Sequence, residues 1–147
     1  MNNLRGAFRV LQVVNAAYTT STSTTSSSYV TTGATATITP SSSSSKILVI
    51  ASSSIQNSGT GTAVRATMFR GTVAGTNLAG GATVQAGGYV YGANNLIGTP
   101  SMCFLDSPAT TSAQIYTLGF ATGNSSVTAT AQIDTTSALI TLMEISA

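Results

Sequence analysis

The strongest constraint on this chain is a two-residue alternation of apolar and hydroxyl side chains. In 34–39, Ala34, Ala36 and Ile38 alternate with Thr35, Thr37 and Thr39, and in 127–133, Val127, Ala129, Ala131 and Ile133 alternate with Thr128, Thr130 and Gln132. Successive side chains of a strand point to opposite faces, so each segment presents one apolar face and one threonine face. A helix would scatter the same residues around its circumference. The straight-chain residues that cover helix surfaces are scarce here and β-branched residues abound, which favours strands again.

The same period predicts strands near 9–18, 28–39, 46–55, 62–70, 83–91, 101–105, 113–121, 126–134 and 138–145. Lys46-Ile47-Leu48-Val49-Ile50-Ala51 and Leu139-Ile140-Thr141-Leu142-Met143 are apolar on both faces. Such strands are central ones, covered on one side by the core and on the other by a second sheet or a subunit. Ile47, Val49, Leu118, Phe120, Leu139 and Leu142 are the expected core. Pro40 with 41–45, Gly59 and Gly61, the glycine-rich 71–81, Ser107-Pro108 and Gly123-Asn124 separate the strands. About nine short strands with turns at intervals of about ten residues predict one all-β domain over 1–147, an antiparallel β-sandwich or jelly roll. Residues 19–28 are purely Ser and Thr. They are expected to be an extended segment lying along a neighbour.

Composition then narrows the chemistry. Charged residues are 5% of the chain, against roughly a quarter in ordinary domains, while Ser and Thr make up about a third of it. The bases are Arg5, Arg9, Lys46, Arg65 and Arg70, and the acids are Asp106, Asp134 and Glu144. Without histidine and with Cys103 alone, a metal site of the usual ligands has little to build from, and no cofactor site is expected. Three scattered carboxylates offer little for acid–base catalysis, so no catalytic residue is assigned. A net charge of +2 without a basic cluster argues against nucleic-acid binding. The longest aliphatic run, 47–51, is far short of the roughly 20 residues of a spanning helix, so no membrane insertion is expected. Gln12 and Asn15 interrupt the apolar stretch that follows Arg9, which argues against a signal peptide.

Few motifs survive their ordinary explanations. Ser43-Ser44-Ser45-Lys46 matches S-x-x-K inside a serine run, without its partner elements. Asn124-Ser125-Ser126 is a sequon in a polar turn, and Cys103 is expected to be a small buried hydrophobe. Asp106, between an apolar strand and a proline turn, suits an Asx turn or a salt bridge. Arg65 and Arg70 are its natural partners, and those of Glu144, as structural ion pairs. Tyr89 and Tyr91, among glycines, could pack or form a surface contact for a glycan or partner. Leu4, Arg5, Phe8 and Arg9 combine apolar anchors with arginines, the usual content of a binding hot spot.

Several blocks together resemble a known family. They are Leu11-Gln12-Val13-Val14 before the Ser/Thr tract and Tyr29-Val30; Ala36-Thr37-Ile38-Thr39-Pro40 running to Lys46-Ile47-Leu48-Val49; Met68-Phe69-Arg70-Gly71; Phe104-Leu105-Asp106-Ser107-Pro108-Ala109-Thr110-Thr111-Ser112 with Tyr116; and Ile140-Thr141-Leu142-Met143-Glu144-Ile145. The chain is similar over almost its whole length to a tailed-phage virion surface domain, found at tail-fibre tips and as small stand-alone virion proteins. The resemblance implies a trimeric β-sandwich with a structural or adhesive role and no catalytic residues. Because the domain begins almost at Met1, the expectation is a capsid decoration (cement) protein rather than a fibre or spike tip. Its partners would be its own copies, the major capsid protein and, at a tip, a host surface glycan. It would be made in the host cytoplasm and sit on the capsid surface, with 1–17 as the docking segment.

Overall fold

The computed structural model describes residues 8–80 and 87–147. Within them the chain forms thirteen strands and a single 3-10 turn, so the all-β expectation holds. The strands form three antiparallel sheets, none closed, in a sandwich-like arrangement. The first sheet orders β1 (Val10–Tyr18), β13 (Ala138–Ile145), β4 (Lys46–Ser52) and β10 (Ser101–Asp106). The second orders β3 (Val30–Ile38), β11 (Gln114–Thr122), β6 (Ala63–Arg70) and β7 (Thr76–Asn77), with β8 (Gly88–Tyr91) also paired to β6. A small third sheet orders β2 (Thr22–Thr24), β12 (Ala129–Ala131), β5 (Ile55–Asn57) and β9 (Leu96–Gly98).

The alternation read in the sequence builds the core directly. On β3, Ala34, Ala36 and Ile38 are buried while Thr35 and Thr37 are exposed. Ile47, Val49, Ile140 and Leu142 from the first sheet meet Met68, Leu118 and Phe120 from the second in one cluster. Burying each such side chain contributes about 1.5–3 kcal/mol, the main stabilising term in a domain without disulfides.

Several expectations are corrected. Leu139 is 43% exposed, because Ala138, Ile140, Leu142 and Glu144 occupy the inner face and strand parity sends Leu139 outward. Cys103 is exposed for the same reason, next to buried Met102. The expected strand 46–55 breaks at Ser53-Ser54, so that β4 and β5 serve different sheets. The expected 126–134 strand shortens to β12. Gln132, Asp134 and Thr135 then take left-handed backbone at φ 51, 52 and 61 around the 3-10 turn Ile133–Thr135. The Ser/Thr tract contains β2, a true strand paired to β12. The short β7 and β9 carry too few residues for a periodic pattern. These changes turn nine expected strands into thirteen. Residues 83–86 of the expected 83–91 strand lie outside the described residues.

Part of the outer side of the second sheet, over β6 and β11, is covered by its own chain, while Thr35, Thr37, Ile115, Tyr89 and Tyr91 remain exposed on that side. The glycine-rich excursion folds back over it: Thr117 Oγ1 donates to the Gly71 carbonyl at 2.7 Å, and Thr67 Oγ1 donates to Asn77 Oδ1 at 3.0 Å. Phe69 lies over Gly119, where a Cβ would stand 2.7 Å from the ring and 3.1 Å from Val73. Tyr29 packs edge-on against Phe69 at 5.3 Å between centroids.

Candidate interaction surface

Two polar clusters fix the geometry of the domain. Asp106 ends β10, Arg70 ends β6, and Tyr116 lies opposite Arg70 on β11. Arg70 Nη1 donates to Asp106 Oδ1 at 2.9 Å and to Oδ2 at 3.1 Å, and Tyr116 Oη donates to Oδ2 at 2.8 Å. This clasp ties the first sheet to the second. Burial pushes the Tyr116 hydroxyl well above its ordinary range, and the hydrogen bond and charge of Asp106 push it the same way. The hydroxyl is therefore a fixed donor, suited to structure rather than proton transfer.

Glu144 differs from the ion-pair expectation. It is fully buried, and its partners are neutral. Ser41 donates to Oε1 through both its backbone N–H and its hydroxyl, each at 2.7 Å, and Gln12 Nε2 donates to Oε2 at 2.6 Å. A bulge between Val10 and Gln12 sets β1 so that Gln12 lies opposite Glu144. Neither arginine pairs with Glu144. Arg65 and Arg70 are five residues apart on β6, an odd spacing that places them on opposite faces, and Arg65 Nη2 donates instead to the Thr122 carbonyl at 2.9 Å. Burial alone would raise the Glu144 pKa, but the hydrogen bonds from Ser41 and Gln12 outweigh it and hold the carboxyl at about 2, against 4.5 unperturbed.

The unfolded chain therefore takes up this proton at higher pH than the folded one. Stability is expected to be full above about pH 5 and to decline as pH falls through 4.5 towards 2. With three acidic side chains in the whole chain, urea melts between pH 7 and 2.5 can assign this decline, and Glu144→Gln should flatten it. An unchanged acid limb in that variant would show that Glu144 is not its source.

Among the described residues no three metal-ligating side chains gather, and no helix is long and apolar enough to cross a membrane. Lys46 of the S-x-x-K match opens β4 and donates to Ser107 Oγ at 3.1 Å.

The remaining features are surfaces. Phe8 is 70% exposed beside exposed Arg9, whose backbone extends the first sheet: Ser146 N–H donates to the Arg9 carbonyl at 2.8 Å, and Arg9 N–H donates to Ser146 Oγ at 2.9 Å. Leu4 and Arg5 lie outside the described residues. Tyr89 and Tyr91 are both exposed on one side of β8, with Val90 buried between them. The outer face of the first sheet is apolar across all four strands, because Val13, Met143, Leu48 and Leu105 stand directly opposite one another in register. The two-sided apolar character of 47–51 and 139–143 predicted a cover on the outer side as well, and no described segment of the chain supplies one: Ile50 and Leu139 are exposed there. The contributions of Val13 and Leu105, and of Gln12 and Ser41 at Glu144, depend on pairings between segments far apart in sequence.

The fold is that of a charge-poor, open antiparallel β-domain with exposed apolar and aromatic side chains. No protein-family model matches the chain, and no curated protein shows significant similarity to it.

Proposed function

We propose that this chain is a non-enzymatic virion structural protein: a capsid decoration protein, a homotrimer of jelly-roll subunits, that binds the major capsid protein and stabilises the head. The observation that supports this reading lies at the edge of the first sheet. The Arg9 backbone is bound to the last residues of the chain while Phe8 stands exposed in front of it. An apolar anchor beside a guanidinium is typical of interface hot spots. The resemblance to tailed-phage virion surface domains supports the same role, with 1–17 gripping the capsid. Deleting residues 2–9 spares β1 and so should leave the fold and the self-association intact. Attachment to undecorated heads of the phage that encodes the chain should fall at least tenfold. Undiminished attachment of the deleted protein would remove the docking role.

The second reading is a receptor-binding tip of a tail fibre or spike. It is favoured by Tyr89 and Tyr91, two exposed rings at i and i+2 on an outer strand, an arrangement on which a sugar can stack. Imaging of the particle separates the two, since decoration places many copies over the head and a tip places a few on the tail.

A further inference from the structure

We propose that the outer face of the first sheet is the contact surface between copies of this chain. The inference deepens the self-association in the proposed function and holds with or without a capsid. Parity gives the face its character: the inner halves of β4 and β13 fill the core, and their outer halves remain in contact with water. Val13 is 56% exposed and Leu105 59%, at the two ends of the four-residue apolar row across the sheet. With strands about 4.8 Å apart, that row is a continuous ridge about 14 Å long. No described segment of the chain covers it, whereas on the second sheet Phe69 and the 71–80 excursion cover the outer side around Thr67, Thr117 and Gly119.

Charge and polarity favour a second copy. Of the side chains that parity places on this face, Lys46 alone is charged, and it is engaged with Ser107 at the margin. Asn15 Nδ2 donates to Thr141 Oγ1 at 2.8 Å across β1 and β13, so this polar pair is already partnered before docking. Two such faces meeting bring in no charge but that of Lys46 at the margin and strand few polar groups, so the surface is compatible with a copy of itself. Its size also suits the purpose. Four strands wide and eight residues long on β13, the face projects about 19 by 27 Å, roughly 500 Å² before side-chain relief is counted. A stable interface takes about 800 Å² from each partner, and the face supplies roughly five-eighths of that as a flat projection. A pair would pack two such faces about 10 Å apart, whereas in a trimer the same face of every copy turns to the threefold axis and is divided between two neighbours.

The test uses the full chain with Val13→Glu and Leu105→Glu, both at exposed positions that leave the core intact, and Tyr91→Glu on a different surface as the control. Light scattering at micromolar concentration should show the wild type and Tyr91→Glu as the same oligomer and both face variants as monomers. Cys103 lies on this face opposite Ile50, so its thiol should react with a maleimide at least tenfold more slowly in the oligomer than in either face variant. Face variants that remain oligomeric, or a wild-type oligomer with a freely reactive Cys103, would overturn the inference. A wild-type monomer would overturn it too, and would leave the capsid role to the attachment assay. Should a variant fail to fold by circular dichroism, the Cys103 protection in the wild type still decides.

Discussion

Leu142→Ala is expected to lower the free energy of unfolding by about 2–5 kcal/mol, the range for a buried leucine whose site cannot collapse. Leu142 is fully buried at the middle of β13, directly opposite Val14 on β1 and Val49 on β4. Strands held by ladders on both sides cannot move in to fill the space. Against a total stability of about 5–15 kcal/mol for a domain of this kind, such a loss is large. Leu139, three residues earlier on the same strand, points outward, and Leu139→Ala should cost less than about 1 kcal/mol in the isolated subunit. Denaturant melts of the two variants measure the contrast. A loss below about 0.5 kcal/mol at Leu142 would place β13 outside the cooperative core.

Asp106→Ala is expected to cost about 2–3 kcal/mol, because it leaves both the Arg70 guanidinium and the Tyr116 hydroxyl without their acceptor. The Asp106 side chain is 10% exposed and that of Arg70 26%, so water compensates Arg70 in part, and the effect falls below that of a fully buried pair. Tyr116 has no such relief, being completely buried. Adding Tyr116→Phe to Asp106→Ala should therefore recover about 1 kcal/mol by removing the stranded hydroxyl. Thermal melts of the single and double variants read this directly. Equal stability of the two would mean that the hydroxyl finds another partner.

The elements that the sequence announced are those in which local period and tertiary role agree. On β3 every second residue is small or aliphatic, and those residues are the buried ones. The alternation of 127–133 failed at Gln132, which is fully buried where the chain turns through left-handed backbone at Gln132 and Asp134; no periodic pattern contains that information. The two-sided apolar runs were legible as central strands, yet which half of each faces inward is a single bit of parity. The opposite parity would carry Leu139, which is exposed, into the core. Pairing between distant segments was the least legible. Asp106 with Arg70 was suggested by the scarcity of charge, which left few alternatives. Glu144 escaped the same logic because its partners are a glutamine and a serine, and neutral donors are everywhere in this chain.

The pairing of β1 with β13 has a consequence for how the molecule comes into being. Arg9 and Ser146 are hydrogen-bonded although 137 positions apart, so β1 can dock on its partner only after synthesis has passed β13. At a synthesis rate of about 5–20 residues per second, β1 waits many seconds without its neighbour. The second sheet needs nothing beyond Thr122 and is free to assemble earlier. Connections of such long range fold slowly, in milliseconds to seconds once both strands have been made. Until then the apolar side chains of β1 and β4 are open to premature association. A nascent chain stopped before Ala138 offers Val10–Tyr18 no strand to join, and this late closure makes the C-terminal residues the gatekeepers of the N-terminal ones.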